Sequence, residues 1–121
     1  MAVRGACHCG AIAFEVDGEP EGLESCTCSI CRRTGFVHWY VEPGRFRLLG
    51  SDETLATYRF GTRTALNHFC RVCGVAPFRR PRSDPDKIAV NVRCLEGVDL
   101  ADLPVTEFDG RNWEEAYARL R

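Results

Sequence analysis

Eight cysteines in 121 residues constrain this chain more than any other feature, because four of them form two widely separated pairs. Cys7-His8-Cys9-Gly10 and Cys70-Arg71-Val72-Cys73-Gly74 stand 61 residues apart, counted from Cys9 to Cys70. Each pair can reach one metal ion from a single tight turn. Each ends on a glycine, which supplies a backbone conformation that a side chain would obstruct. Four thiolates make a closed tetrahedral zinc site. Such a site would tie the N-terminal strand to the middle of the chain and contribute on the order of 10 kcal/mol to folding. His8, between two ligands, should point away from a metal that both neighbours hold, and reads as a surface histidine.

The compartment decides whether these thiols are metal ligands or disulfides. Sixteen Lys+Arg against seventeen Asp+Glu leave a formal net charge of −1, without the basic footprint of a nucleic-acid or anionic-membrane binder. No apolar run approaches the ~20 residues that span a bilayer, and Met-Ala-Val-Arg-Gly leads straight towards Cys7 with no apolar signal region. The expectation is a cytoplasmic protein, where thiols stay reduced and cysteines serve metal binding or catalysis. By length, residues 1–121 should form one domain able to bury roughly 65% of its unfolded surface.

Apolar residues alternate over Ala11–Val16, with Ile12, Phe14 and Val16 on one face, which predicts a half-buried strand. The pattern returns at Gly35–Val41, Arg45–Leu49, Thr54–Phe60, Thr64–Phe69, Val75–Arg79 and Lys87–Val92. Breaks fall at Glu42-Pro43-Gly44, Gly50-Ser51-Asp52, Gly61-Thr62 and Pro81–Asp86. Short strands at this spacing predict a mainly β fold of small antiparallel sheets folded over around the cysteine turns. Only the end of the chain reads as helix. Asn112 can cap it, Glu115 takes its third position, and Trp113, Ala116, Tyr117 and Leu120 form an apolar stripe.

Between the two pairs lies a second cluster, Cys26-Thr27-Cys28-Ser29-Ile30-Cys31. Three thiolates within six residues can occupy three corners of a tetrahedron but cannot easily close the fourth from the same loop. Zinc held by three protein ligands keeps a position open for water or a substrate atom. Its three thiolates leave the site with a net charge of −1, a poor Lewis acid suited to a sulfur ligand, which it would hold as an activated thiolate. Two readings stand for Cys94. It continues the parity of Ile88, Val90 and Val92 as a buried thiol, or it lines or completes the second site. Asn91 and Arg93 share the opposite parity; if that face turns towards the cluster they can recognise a carboxylate or amide, and otherwise they are solvated. Arg32 and Arg33, directly after Cys31, can offset local negative charge or bind a carboxylate, or serve solubility alone.

The stretches Gly5-Ala6-Cys7-His8-Cys9-Gly10, Cys26-Thr27-Cys28-Ser29-Ile30-Cys31-Arg32, Phe69-Cys70-Arg71-Val72-Cys73-Gly74 and Asn91-Val92-Arg93-Cys94-Leu95 resemble the glutathione-dependent formaldehyde-activating enzyme family, also associated with centromere protein V. The resemblance implies a β-rich fold of the kind seen in a small zinc-binding Rab-associated chaperone. It implies two zinc ions per chain, a structural one on Cys7, Cys9, Cys70 and Cys73 and a catalytic one on Cys26, Cys28 and Cys31. The activity implied is condensation of formaldehyde with glutathione, a carbon–sulfur lyase reaction in reverse, with the glutathione sulfur held by the metal and a nearby group protonating the new alkoxide. His38 and His68 are the histidines left to carry that proton. The competing expectation is a non-catalytic module in which both zincs stabilise the fold and an exposed face engages a protein partner. The two part at the fourth position of the second metal, open in an enzyme and filled by a side chain in a binding module.

Overall fold

Ten strands and two short helices carry the described residues, 2–60, 65–82 and 86–119, of the computed structural model. Strands β1 (Ala2–Ala6), β2 (Ala13–Asp17) and β5 (Phe46–Leu49) form an antiparallel sheet in the order β1-β2-β5. The larger sheet holds β3 (Leu23–Cys26), β4 (Val37–Val41), β6 (Leu55–Tyr58), β7 (Leu66–Cys70), β8 (Phe78–Arg80), β9 (Ile88–Asn91) and β10 (Val105–Phe108). Its order is β10-β3-β4-β9-β8-β7-β6, with β10 parallel to β3 and the other pairs antiparallel. Helices α1 (Ser29–Thr34) and α2 (Trp113–Arg119) complete the elements.

Side-chain alternation explains how these strands are covered. In β2, Phe14 and Val16 are buried, while Glu15 and Asp17 face outward and pair with Arg47 of β5. In β4, Val37, Trp39 and Val41 join the core, and register places Trp39 beside Val90 and Val90 beside Phe78. Full burial of side chains such as Phe14, Trp39 and Val90 contributes roughly 1.5–3 kcal/mol each. The alternate positions lie on the other face of the same sheet. There Tyr40 is opposite Ala89, Ala89 opposite Arg79, and Arg79 opposite Asn67. This second face carries the candidate site.

The mainly β architecture agrees with the sequence reading, and the differences have local causes. Strand β2 starts at Ala13 because the preceding residues close the Cys7 turn, where the Cys7 N–H donates to the Ile12 carbonyl at 2.9 Å. Strand β8 is confined to three residues after Pro77. Strand β9 ends at Asn91, whose Oδ1 accepts from the Arg93 N–H at 3.1 Å and starts a 3₁₀ turn over Val92–Cys94. Strand parity therefore does not extend to Cys94, which is half-buried. Strands β1, β3 and β10 have no alternating pattern strong enough to announce them. The expectation of one helix is corrected by α1, six residues long and too short to show helical periodicity. Helix α2 follows a 3₁₀ turn at Gly110–Asn112, where the Asn112 amide donates to Asp109 Oδ2 at 3.0 Å. Thr64, Leu120, the Gly61-Thr62 break and residues 83–85 of the Pro81–Asp86 break lie outside the described residues.

Candidate metal centres

The two cysteine pairs meet. The sulfurs of Cys7, Cys9, Cys70 and Cys73 all lie within 4.8 Å of one another, with Cys7–Cys9 and Cys9–Cys70 each at 3.7 Å. A tetrahedron of thiolates about 2.3 Å from zinc has edges of about 3.8 Å, so the spacing and the all-sulfur donor set fit a closed zinc site. Both turns are tied by backbone bonds, Gly10 N–H to the Cys7 carbonyl at 3.1 Å and Gly74 N–H to the Cys70 carbonyl at 2.7 Å. Gly10 and Gly74 each have φ of +82°, the left-handed conformation expected after a last ligand. Backbone N–H groups also serve the sulfurs. Ile12 N–H donates to Cys7 Sγ at 3.3 Å, and those of Cys73 and Val72 hold the Cys70 thiol down to about 6. His8 is exposed, as its place between ligands requires.

The second cluster is assembled by a helix cap. Cys26 ends β3, Cys28 is the N-cap of α1, and Cys31 lies inside that helix. Cys28 Sγ accepts from the Cys31 N–H at 3.4 Å, so the thiol that caps the helix is also a candidate ligand. Gly35 closes α1 by donating its N–H to the Cys31 carbonyl at 2.9 Å. All three sulfurs lie within 4.8 Å of one another, a soft donor set that fits three corners of a zinc site. Cys28 is held well below the ordinary thiol value because Cys26 and then Cys31 donate to it. Cys31 is pushed up, by its hydrogen bonds to Cys26 and Cys28 and then by burial.

Two side chains from other strands finish this site. Arg79 Nη1 donates to Cys31 Sγ at 2.9 Å. His38 Nδ1 donates to the Glu24 carbonyl at 3.1 Å, which leaves Nε2 unprotonated and 3.8 Å from Cys31 Sγ. Burial, then the Arg79 charge, lowers His38 to about 4, so its ring is neutral at neutral pH. His38 is not within 4.8 Å of all three sulfurs, and among the described residues no Cys, His, Asp or Glu makes a fourth member of the group. Cys94 does not approach it. Its thiol is raised to about 11 by burial and then by the charges of Cys7 and Cys73, which places it beside the other cluster.

Cys26 and Cys28 open onto a cavity of about 300 Å³. Tyr40 and His38 line it from β4 and Arg79 from β8, while Phe108, Arg111 and Trp113 come from the C-terminal segment. Tyr40 donates to Glu24 Oε1 at 2.7 Å, and burial raises the Glu24 carboxyl above its ordinary value. The residues expected to recognise a ligand are elsewhere. Asn91 is buried and satisfied by backbone, accepting from Val37 N–H and donating to the Ala76 carbonyl at 2.9 Å. Arg93 donates to the Gly35 carbonyl at 2.8 Å and lines a separate shallow cavity with Asp99. Arg32 is exposed and outside the cavity lining. His68 contacts Thr57 Oγ1 at 2.9 Å and packs with its ring tilted against Phe78. Sequence reasoning missed Arg79. The available signal was Arg79-Arg80 within a short strand, where period two sends one arginine to each face.

A β-rich chain with one four-thiol and one three-thiol centre is the class that this geometry defines. The chain belongs to the glutathione-dependent formaldehyde-activating enzyme family, whose profile matches residues 2–108. A Halomonas elongata protein, itself provisionally assigned as a glutathione-dependent formaldehyde-activating enzyme, is 32% identical over 89 residues. That match takes in 63% of this chain and 54% of the relative, so the chain spans about half the length of the curated protein it matches. The crystal structure of a Rhodobacter sphaeroides protein superposes with a TM-score of 0.77 at 40% identity, covering 86% of this chain and 98% of that one. Among the described residues no helix is long and apolar enough to cross a membrane.

Proposed function

We propose that the protein binds two zinc ions and catalyses addition of a small thiol, glutathione foremost, to formaldehyde or a related aldehyde. Cys7, Cys9, Cys70 and Cys73 would hold a structural zinc, and Cys26, Cys28 and Cys31 a catalytic one. The observation that carries this reading is the asymmetry of the second cluster: Cys26 and Cys28 face the cavity, whereas Arg79 donates to Cys31. Zinc bound there would supply a soft Lewis acid with a coordination position left for a substrate sulfur.

The reaction joins the thiol sulfur to the carbonyl carbon, and the proton lost by the thiol ends on the carbonyl oxygen. No electron is gained or lost overall. Within the chain, Arg79 offsets negative charge gathered on the three thiolates. His38, held neutral, packs against the cluster without adding charge. Tyr40 Oη, hydrogen-bonded to Glu24 Oε1, stands at the cavity wall and is placed to hold the transferred proton. The alternative, a zinc-stabilised binding module, needs a side chain at the fourth position of the second site, and the described residues offer none within the group.

Titrating cobalt-substituted protein with glutathione tests the reading. The expected result is a new sulfur-to-cobalt absorption from the three-thiol site at millimolar thiol, together with S-hydroxymethylglutathione formation by the zinc form. An unchanged spectrum at that concentration would exclude glutathione as a ligand.

A further inference from the structure

The cavity is cationic where the β8–β9 connection meets the C-terminal segment. Arg79, Arg82 and Arg111 line the cavity, and no Asp or Glu is among its described lining residues. Arg79 is already committed to Cys31. Arg82, in the β8–β9 connection, has its guanidinium 3.6 Å from the Trp113 ring centroid and donates to Glu114 Oε1 at 2.7 Å. Arg111 makes no ion pair with a described carboxylate.

We propose that Arg82 and Arg111 receive a carboxylate of the thiol substrate, and that Glu114 occupies Arg82 until the ligand displaces it. The substrate class is then an anionic, carboxylate-bearing thiol, selected over neutral thiols by residues outside the cysteine cluster. This rests on the thiol-ligand reading above and adds the specificity determinant. The physical case has three parts. The Glu114 side chain is 82% exposed, and exposed pairs contribute only about 0–1 kcal/mol, so exchanging one carboxylate for another costs little. Stacking on Trp113 holds the guanidinium plane, which keeps its remaining donors aimed without a fresh entropy loss. A carboxylate fits that fork with two parallel hydrogen bonds. Arg111, Trp113 and Glu114 also lie beyond residues 2–108, the part matched by the family profile, whereas Arg82 lies within it.

Calorimetric titration of the zinc-loaded protein with glutathione and with its diethyl ester, which has the same thiol and no carboxylate, tests the proposal. The wild type should bind the ester about tenfold more weakly. Arg82→Gln and Arg111→Gln should each shrink that ratio to about two or three by weakening glutathione alone. Glu114→Gln should do the opposite, tightening glutathione about two- to fivefold with the ester unchanged, a gain that misfolding cannot produce. Equal affinity for acid and ester in the wild type, or an unchanged ratio in both arginine variants, overturns the proposal. The cobalt spectrum separates the two levels. If the ester and glutathione both perturb it but bind equally, only the carboxylate site is wrong; if neither perturbs it, the thiol-ligand reading fails and takes this proposal with it.

Discussion

The two cysteine clusters use the same side chain for different ends, and the difference lies in what surrounds the sulfur. Around Cys7, Cys9, Cys70 and Cys73 the donors are mainly backbone N–H groups of the two turns. Around Cys26, Cys28 and Cys31 the partners include a guanidinium and an imidazole from separate strands, beside an open cavity. Backbone donors come with the turn itself and leave a tetrahedral set complete. Side-chain donors bring charge that can be tuned, next to a set that has no fourth member among the described residues. The proposed function therefore assigns stability to the first cluster and reactivity to the second.

The strongest way to break this division is to remove one ligand from each side. Cys7→Ser or Cys73→Ser should abolish soluble folded protein, because a zinc held there would contribute on the order of 10 kcal/mol against a typical stability of about 5–15 kcal/mol. Circular dichroism and soluble yield are the checks. Cys28→Ser should keep the fold, lose one equivalent of zinc by elemental analysis and lose thiol-dependent activity. If both classes of variant unfold alike, the division is wrong. Next in size, Arg79→Met removes the charged donor to Cys31 and should weaken zinc at the second site about 10–100-fold in a chelator competition, while the first equivalent stays bound. Smallest, Thr54→Val deletes the 3.7 Å contact between its hydroxyl and Cys70 Sγ. It should cost about 1 kcal/mol or less in thermal unfolding, since the backbone donors of that cluster remain.

Both clusters were legible in the sequence because ligand spacing within a turn is a local property. Gly10 and Gly74 could likewise be read as left-handed residues before any fold was known. The central strands were legible for a similar reason, since Trp39 and Val41 or Ile88 and Val90 repeat with period two. What surrounds the second cluster was not. Arg79 stands 48 residues after Cys31, and its approach depends on strand register, which no local pattern states. Asn91 and Arg93 seemed suited to ligand binding because they share a parity. The 3₁₀ turn that begins at Asn91 breaks that parity and turns the Asn91 amide to backbone work. Helix α1 escaped notice because it is nucleated by a cysteine cap rather than by an apolar stripe.

Strand β10 runs parallel to β3 and sets Phe108 beside Cys26, and the next residue, Asp109, accepts from Thr27 Oγ1 at 3.1 Å. That pairing delivers the C-terminal segment to the cavity as a wall, which Arg82 also holds through Trp113 and Glu114. On the proposed reading the segment is an exchangeable part: changes within residues 109–119 would alter which thiols enter while the cysteines and Arg79 stay as they are. Diversity among such proteins should then collect after β10, with the reacting centre inherited intact.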